Sequence, residues 1–200
     1  NTNGWAGPRY RDCVAIGGMS EVDVDALRVT AEQVVDVAAR FVRRRRAEMF
    51  AADGGGSVRT KSSPTDPVTV ADTETEGLVR DLLADLRPGE PIVGEEGGGP
   101  AGGPAPLCWV VDPIDGTVNY ATGLPYSSVT IALHRGRETL LGVTCQHESG
   151  LVYHARLGHG AFVRRPDGSD ERLSVNGAAR LIDVLTATGF PYHAKESPDD

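Results

Sequence analysis

An α+β fold, two helices packed on an antiparallel sheet, is predicted by three features of this sequence. Apolar residues recur at helical spacing over residues 24–50 and again over 70–86. From Ser127 onward they alternate instead, in short runs separated by turn residues. Helices followed by a strand meander give helices that cover one sheet face.

The first helix is read from Leu27, Ala31, Val34, Ala38, Phe41 or Val42, and Met49, one face of a cylinder. Arg43 to Arg46 fall near its end, where a basic run suits a solvated terminus and the helix dipole better than the alternative, a nucleic-acid patch. Asp53-Gly54-Gly55-Gly56-Ser57 ends the unit. The second helix, Val70 to Leu86, carries Leu78, Val79, Leu82, Leu83 and Leu86, with Thr69 as N-cap and Arg87-Pro88-Gly89 as stop. Strands are expected at Pro91 to Gly94 and Leu107 to Val111, separated by the Gly/Pro/Ala loop 97–106.

The meander follows. Val129, Ile131 and Leu133 alternate, and Arg135-Gly136-Arg137 turns the chain into Leu140 to Cys145. Leu151 to Ala155, Ala161 to Arg164 and Leu173 to Val175 complete it, with turns at Glu148-Ser149-Gly150 and Pro166-Asp167-Gly168. Val184 to Gly189 reads as one more strand. Asn1 to Gly18 shows little periodicity, so ordered structure is expected to begin near Met19, after a flexible or non-native tail. The expected organisation is a tail over 1–19, an α+β metal- and phosphate-binding domain over 20–183, and the start of a second α/β domain over 184–200.

With 40% hydrophobic residues in 200, the chain has enough apolar surface for a core. A net charge of −8 gives no sequence-independent attraction to nucleic acid, so no nucleic-acid partner is expected. Bound metal ions can still reverse the local sign and admit an anionic substrate. Cys13, Cys108 and Cys145 are odd in number and in no CxxC pattern, which suits reduced thiols in a cytoplasmic protein. No apolar run approaches a membrane span, and no membrane partner is expected.

The chemistry concentrates in Trp109-Val110-Val111-Asp112-Pro113-Ile114-Asp115-Gly116-Thr117. An apolar strand delivers Asp112 to its end, where Pro113 is expected to stop it in a type I turn. Such a turn holds its first and fourth residues within about 7 Å, so Asp112 and Asp115 would aim at one point and leave the Ile114 carbonyl free. Two bare carboxylates ~4 Å apart repel by roughly 4 kcal/mol at an effective dielectric of 20. A divalent cation turns that repulsion into attraction. Hard oxygen ligands without a His or Cys cluster favour magnesium, with manganese as substitute. A short helix starting at Gly116-Thr117 would face a phosphate, and the Thr117 hydroxyl would hold an attacking water. The plainer reading of a lone Asp-Pro-x-Asp is a helix cap. Gly94-Glu95-Glu96 could add a third carboxylate, or be a charged loop. Asp72, three residues after Thr69, could be a capping-box residue or part of the site.

Lys61-Ser62-Ser63-Pro64-Thr65-Asp66-Pro67-Val68-Thr69-Val70-Ala71-Asp72, then Gly94-Glu95-Glu96, then Trp109 to Tyr120 together resemble the motifs of the inositol monophosphatase family. The branch they look most like is the inositol-1-phosphatases. The resemblance implies a layered α/β/α/β/α phosphatase fold, of which this chain would be the N-terminal half, with the second domain largely missing. It implies metal ligation by Glu95, Asp112, Asp115 and the Ile114 carbonyl. Glu95 and Thr117 would orient and deprotonate the attacking water, Asp72 would support Thr117, and the Gly116 and Thr117 amides, with Asp115, would meet the substrate. Lys61 would stand beside the metal loop.

The implied activity is hydrolysis of inositol 1-phosphate or a similar small phosphorylated polyol, in a homodimer for the full-length family member. Other members act on phosphoadenosine phosphate or sugar bisphosphates. The family's downstream Trp-Asp motif is absent from these 200 residues, since Trp5 precedes Ala6 and Trp109 precedes Val110. The chain alone is therefore expected to be a feeble phosphatase, or a non-catalytic module, with exposed apolar surface.

Overall fold

The computed structural model describes residues 23–52, 70–99 and 107–186. The expected tail, Lys61, Thr69 and half of the expected strand at 184–189 lie outside them. Val184–Thr186, which are described, form no strand.

Helix α1 spans Val24–Ala52. The Asp23 carboxylate caps it, accepting the Asp25 and Ala26 amides at 3.1 and 3.0 Å. Its buried stripe is Leu27, Ala31, Val34, Val35, Ala38 and Val42. The expected solvated end is corrected at Arg46. This guanidinium is 8% exposed and reaches Glu148 at 2.5 Å and the Leu124 carbonyl at 3.0 Å. Its basic neighbours Arg43 and Arg44 do face solvent.

Helix α2 spans Val70–Leu86, as the spacing predicts. Its buried stripe, however, is Ala71, Asp72, Thr75, Glu76, Val79 and Leu83. Leu86 is half exposed. Asp72, Glu76, Val79 and Leu83 step by four, three and four residues, so two carboxylates share the inward face with the core.

The strands β1 (Ile92–Gly94), β2 (Cys108–Asp115), β3 (Ser128–Arg135), β4 (Glu138–Gln146), β5 (Leu151–Arg156), β6 (Gly160–Arg164) and β7 (Asp170–Leu173) form one sheet in sequence order. Every pair is antiparallel except β1 and β2, which run parallel. That parallel pair sends the ends of β1 and β2 to the same side of the sheet, which brings Glu95 towards Asp112. Trp109, Val111, Val129, Ile131, Leu133, Leu141 and Val143 form the helix-facing core. The Trp109 indole N–H satisfies itself on Glu90 at 2.7 Å. The β3–β4 hairpin closes over Gly136, whose φ of +59° fits the first central position of a two-residue turn.

Two strand boundaries differ from expectation. The last strand is Asp170–Leu173 rather than Leu173 to Val175. It is exposed throughout, so it lacks the apolar alternation that reveals a strand, and pairing with β6 defines it instead. The second difference is at Pro113. Strand β2 runs through this proline to Asp115, where a type I turn was expected. Asp112 pairs with Thr130 and Asp115 with Ser128, so β2 takes three steps against two of β3. The extra residue makes a β-bulge, a place where a proline's missing N–H costs no ladder bond.

Among the described residues no helix is long and apolar enough to cross a membrane. Leu181, Ile182 and Leu185 stand more than four-fifths exposed.

Candidate active site

The site lies where β1 and β2 end, under the N-terminal half of α2. Helix α3, Thr117–Thr122, begins directly after the β2 bulge. Its N-cap is Gly116, at φ +85° and ψ 43°. A Cβ there would stand 2.8 Å from the Tyr126 carbonyl oxygen, so the position is closed to side chains twice over. Gly116→Ala is expected to cost at least ~2 kcal/mol from left-handed strain and this contact, read as a lowered urea midpoint.

Burial sorts the predicted residues. Asp72 is 3% exposed and Ile114 1%, while Asp112 and Thr117 are half-buried. Glu95 and Asp115 are exposed. Burial pushes the Asp72 carboxyl up to about 8, with Glu96, Asp112 and Glu95 adding repulsion and a Thr117 hydrogen bond opposing it. Burial likewise raises Asp112 to about 7, helped by Glu95 and Asp115 and opposed by a hydrogen bond from the Ile114 amide. The structure therefore brings Asp72, Glu95, Glu96, Asp112, Asp115 and Thr117 into one electrostatic group. The Ile114 carbonyl, expected to be free, accepts the Thr117 hydroxyl at 2.9 Å. That hydroxyl has one proton and two acceptors. The Ile114 carbonyl and the Asp72 carboxyl therefore compete for it.

The fit to a divalent cation rests on one atom. Asp112 Oδ1 is buried and has no hydrogen-bond partner. A buried carboxylate oxygen without a donor is costly unless a cation takes the place of the donor. Oxygen donors of this kind suit magnesium or manganese. Among the described residues no three acidic, histidine or cysteine side chains converge closely enough to hold an ion as they stand.

Two residues that support this site are invisible to motif reading. Glu76, 3% exposed, accepts the Glu96 and Gly97 amides at 2.8 and 2.9 Å and pairs with Arg80 at 2.8 Å. Arg80 in turn donates to the Ile92 and Gly98 carbonyls. Together they shape the turn that carries Glu95. A Cβ on Gly94 would collide with the Glu76 carboxyl, and one on Gly97 would come within 2.7 Å of it. The signal available in the sequence was Glu76 four residues after Asp72, on the same helix face.

On the other side of Gly116, Ser127 Oγ and His147 Nε2 meet at 2.7 Å. His147 is 1% exposed, and its Nδ1 is unpartnered. Burial holds its imidazole down at about 4, with Glu148 pulling the other way. The folded state thus favours neutral His147. Its stability contribution is complete above the ordinary imidazole pKa of about 6.5 and is lost as pH falls toward 4. Between pH 7 and 4 the chain is expected to lose about 3 kcal/mol that His147→Gln does not lose, by urea denaturation at each pH. Beside Asp115 and Gly116 lies an open cavity of about 370 Å³, lined also by Asn119, Ser128, Thr144 and Gln146.

Comparison with known proteins gives one consistent result. The profile of the inositol monophosphatase family matches residues 23–200. An inositol-1-monophosphatase of Mycobacterium bovis is 49% identical, across 84% of this chain and 61% of that protein. A Caulobacter vibrioides inositol-1-monophosphatase is 36% identical, across 68% and 52%. The solved Mycobacterium tuberculosis SuhB superposes with a TM-score of 0.65 at 40% identity, covering 80% of this chain and 56% of that one. The inositol monophosphatase from Anabaena, at 24% identity, shares the fold with a TM-score of 0.71. The chain spans 61% of the length of the mycobacterial relatives.

Proposed function

The chain belongs to the inositol monophosphatase family, and from that premise we propose that it carries the site of a magnesium-dependent phosphomonoesterase acting on inositol 1-phosphate or a similar small phosphorylated polyol. The observation that carries this reading is the buried, unpartnered Asp112 Oδ1 in an acid cluster beside Thr117.

Glu95, Asp112, Asp115 and the Ile114 carbonyl would hold magnesium, or manganese in its place. Such an ion supplies the positive charge that offsets both the carboxylates and the phosphate. The remaining chemistry belongs to the chain. The Thr117 hydroxyl holds the attacking water, and Glu95 takes its proton as the water oxygen approaches phosphorus. Asp72 supports Thr117, because its carboxyl competes with the Ile114 carbonyl for the hydroxyl proton. The Gly116 and Thr117 amides meet the phosphate oxygens. The new P–O bond forms opposite the breaking one, the leaving alkoxide takes a proton from solvent, Glu95 returns its own to solvent, and inorganic phosphate remains.

The test joins calorimetry with phosphate release from inositol 1-phosphate. Magnesium binding that depends on Asp112, with release that EDTA abolishes, is expected. Release untouched by EDTA, or no magnesium binding at all, overturns the reading.

A further inference from the structure

We propose that the segment Leu124–Ser127 is a backstop that sets the positions of Asp115, Gly116 and Thr117, and that His147, through Ser127, is a positioning residue for the reaction. The inference rests on the assignment of those three residues to the metal, the attacking water and the phosphate.

The segment joins α3 to β3, and the carbonyls of its first three residues are each taken by a side chain from a different element. Arg46 of α1 donates to Leu124 at 3.0 Å, Gln146 of β4 to Pro125 at 3.1 Å, and Asn119 of α3 to Tyr126 at 2.8 Å. The Leu124 amide returns to the Asn119 carbonyl at 2.9 Å. The Ser127–His147 bond makes the last tie, and it is buried on both sides.

The apolar side chains of the same segment do the opposite. Leu124 is 49% exposed and Tyr126 69%. Hydrophobic burial would turn such residues inward, so here the conformation is set by the polar ties instead. What the ties hold in place is the surface behind Gly116. The Tyr126 carbonyl oxygen and the Ser127 Cα lie 2.8 and 3.5 Å from where a Gly116 Cβ would be. A shift of the segment therefore moves Gly116, and with it the residue on either side.

The Ser127–His147 pair has the look of a nucleophile and its base, but the surroundings deny that role. Ser127 is 4% exposed. The Glu148 carboxylate lies 3.6 Å from His147 Nδ1, beyond hydrogen-bond reach, and is engaged by Arg46. The pair is a tie.

The experiment compares His147→Leu, which keeps an apolar body but loses the bond, with His147→Gln, whose amide can still reach Ser127. Turnover of inositol 1-phosphate and magnesium affinity are measured in each. The ¹⁵N-resolved amide shifts of Gly116 and Thr117 are recorded without metal. In His147→Leu, kcat is expected to fall about tenfold, magnesium affinity to weaken through the displaced Asp115, and both amides to move. His147→Gln restores all three readouts, and Ser127→Ala reproduces the loss without adding to it in the double variant. Unmoved Gly116 and Thr117 amides in His147→Leu overturn the proposal. So does an equal loss in Leu and Gln variants that follows the thermal midpoint, since that is packing alone. If the parent chain releases no phosphate, the functional reading fails, and the amide shifts still decide the positioning claim.

Discussion

Asp112→Asn is expected to abolish magnesium binding and, at the same time, to make the metal-free chain more stable. The two effects share a cause. Asp112 sits half-buried among carboxylates, with its Oδ1 unpartnered and its pKa pushed up to about 7. Its ordinary value lies near 4. A carboxyl raised in the folded state is favoured there as the neutral acid, so its ionisation opposes folding. Stability is highest below the ordinary value and falls as pH rises through about 7. Asparagine keeps the shape and an acceptor for the Ile114 amide, and it carries no charge at any pH. After a discount for partial solvent access, the gain at pH 8 is on the order of 1–3 kcal/mol. Urea midpoints of the two proteins should converge near pH 4 and separate toward pH 8, and magnesium should raise the midpoint of the parent only. A variant that keeps parental magnesium affinity, or that is less stable than the parent at pH 8, sinks the assignment of Asp112.

Glu76→Ala is expected to damage both the fold and the metal site, although Glu76 is not assigned as a ligand. Its carboxylate satisfies the Glu96 and Gly97 amides and the Arg80 guanidinium from a position that is 3% exposed. Truncation leaves those donors facing a void, at a cost of about 2–4 kcal/mol. The turn they define carries Glu95, so magnesium affinity should fall about tenfold in a protein that is still folded. Glu76→Gln retains an oxygen acceptor and should lose roughly half as much stability. Denaturation midpoints and calorimetry on the three proteins check this. A loss under ~0.5 kcal/mol in Glu76→Ala would show that water satisfies the turn equally well.

Much of this site was legible because it is local. Asp112, Ile114, Asp115, Gly116 and Thr117 are nearly contiguous, so residue type and spacing alone suggested an oxygen-rich site followed by a short helix. Helices α1 and α2 were legible because a 3.6-residue period survives any detail of packing. Strand β7 was not, because its exposed residues need no apolar alternation. Pro113 misled for a different reason. A proline's missing N–H ends a regular ladder, but a neighbouring strand can absorb it in a bulge, and only β3 decides that.

The sequence by itself thus determined which oxygen-bearing side chains stand close together along the chain and which segments bury an apolar face. Tertiary structure decided what those side chains feel. The raised acids at Asp72 and Asp112 arise from burial and from charges on α2, β2 and the Glu95 turn meeting in one place. The supports came the same way. Arg46 reaches Glu148 across 102 positions, Glu76 reaches Gly97 across 21, and Ser127 meets His147 across 20. Local propensity carries no record of such pairings. Desolvation and Coulomb forces act through space, and their partners are chosen only when the chain has closed around them.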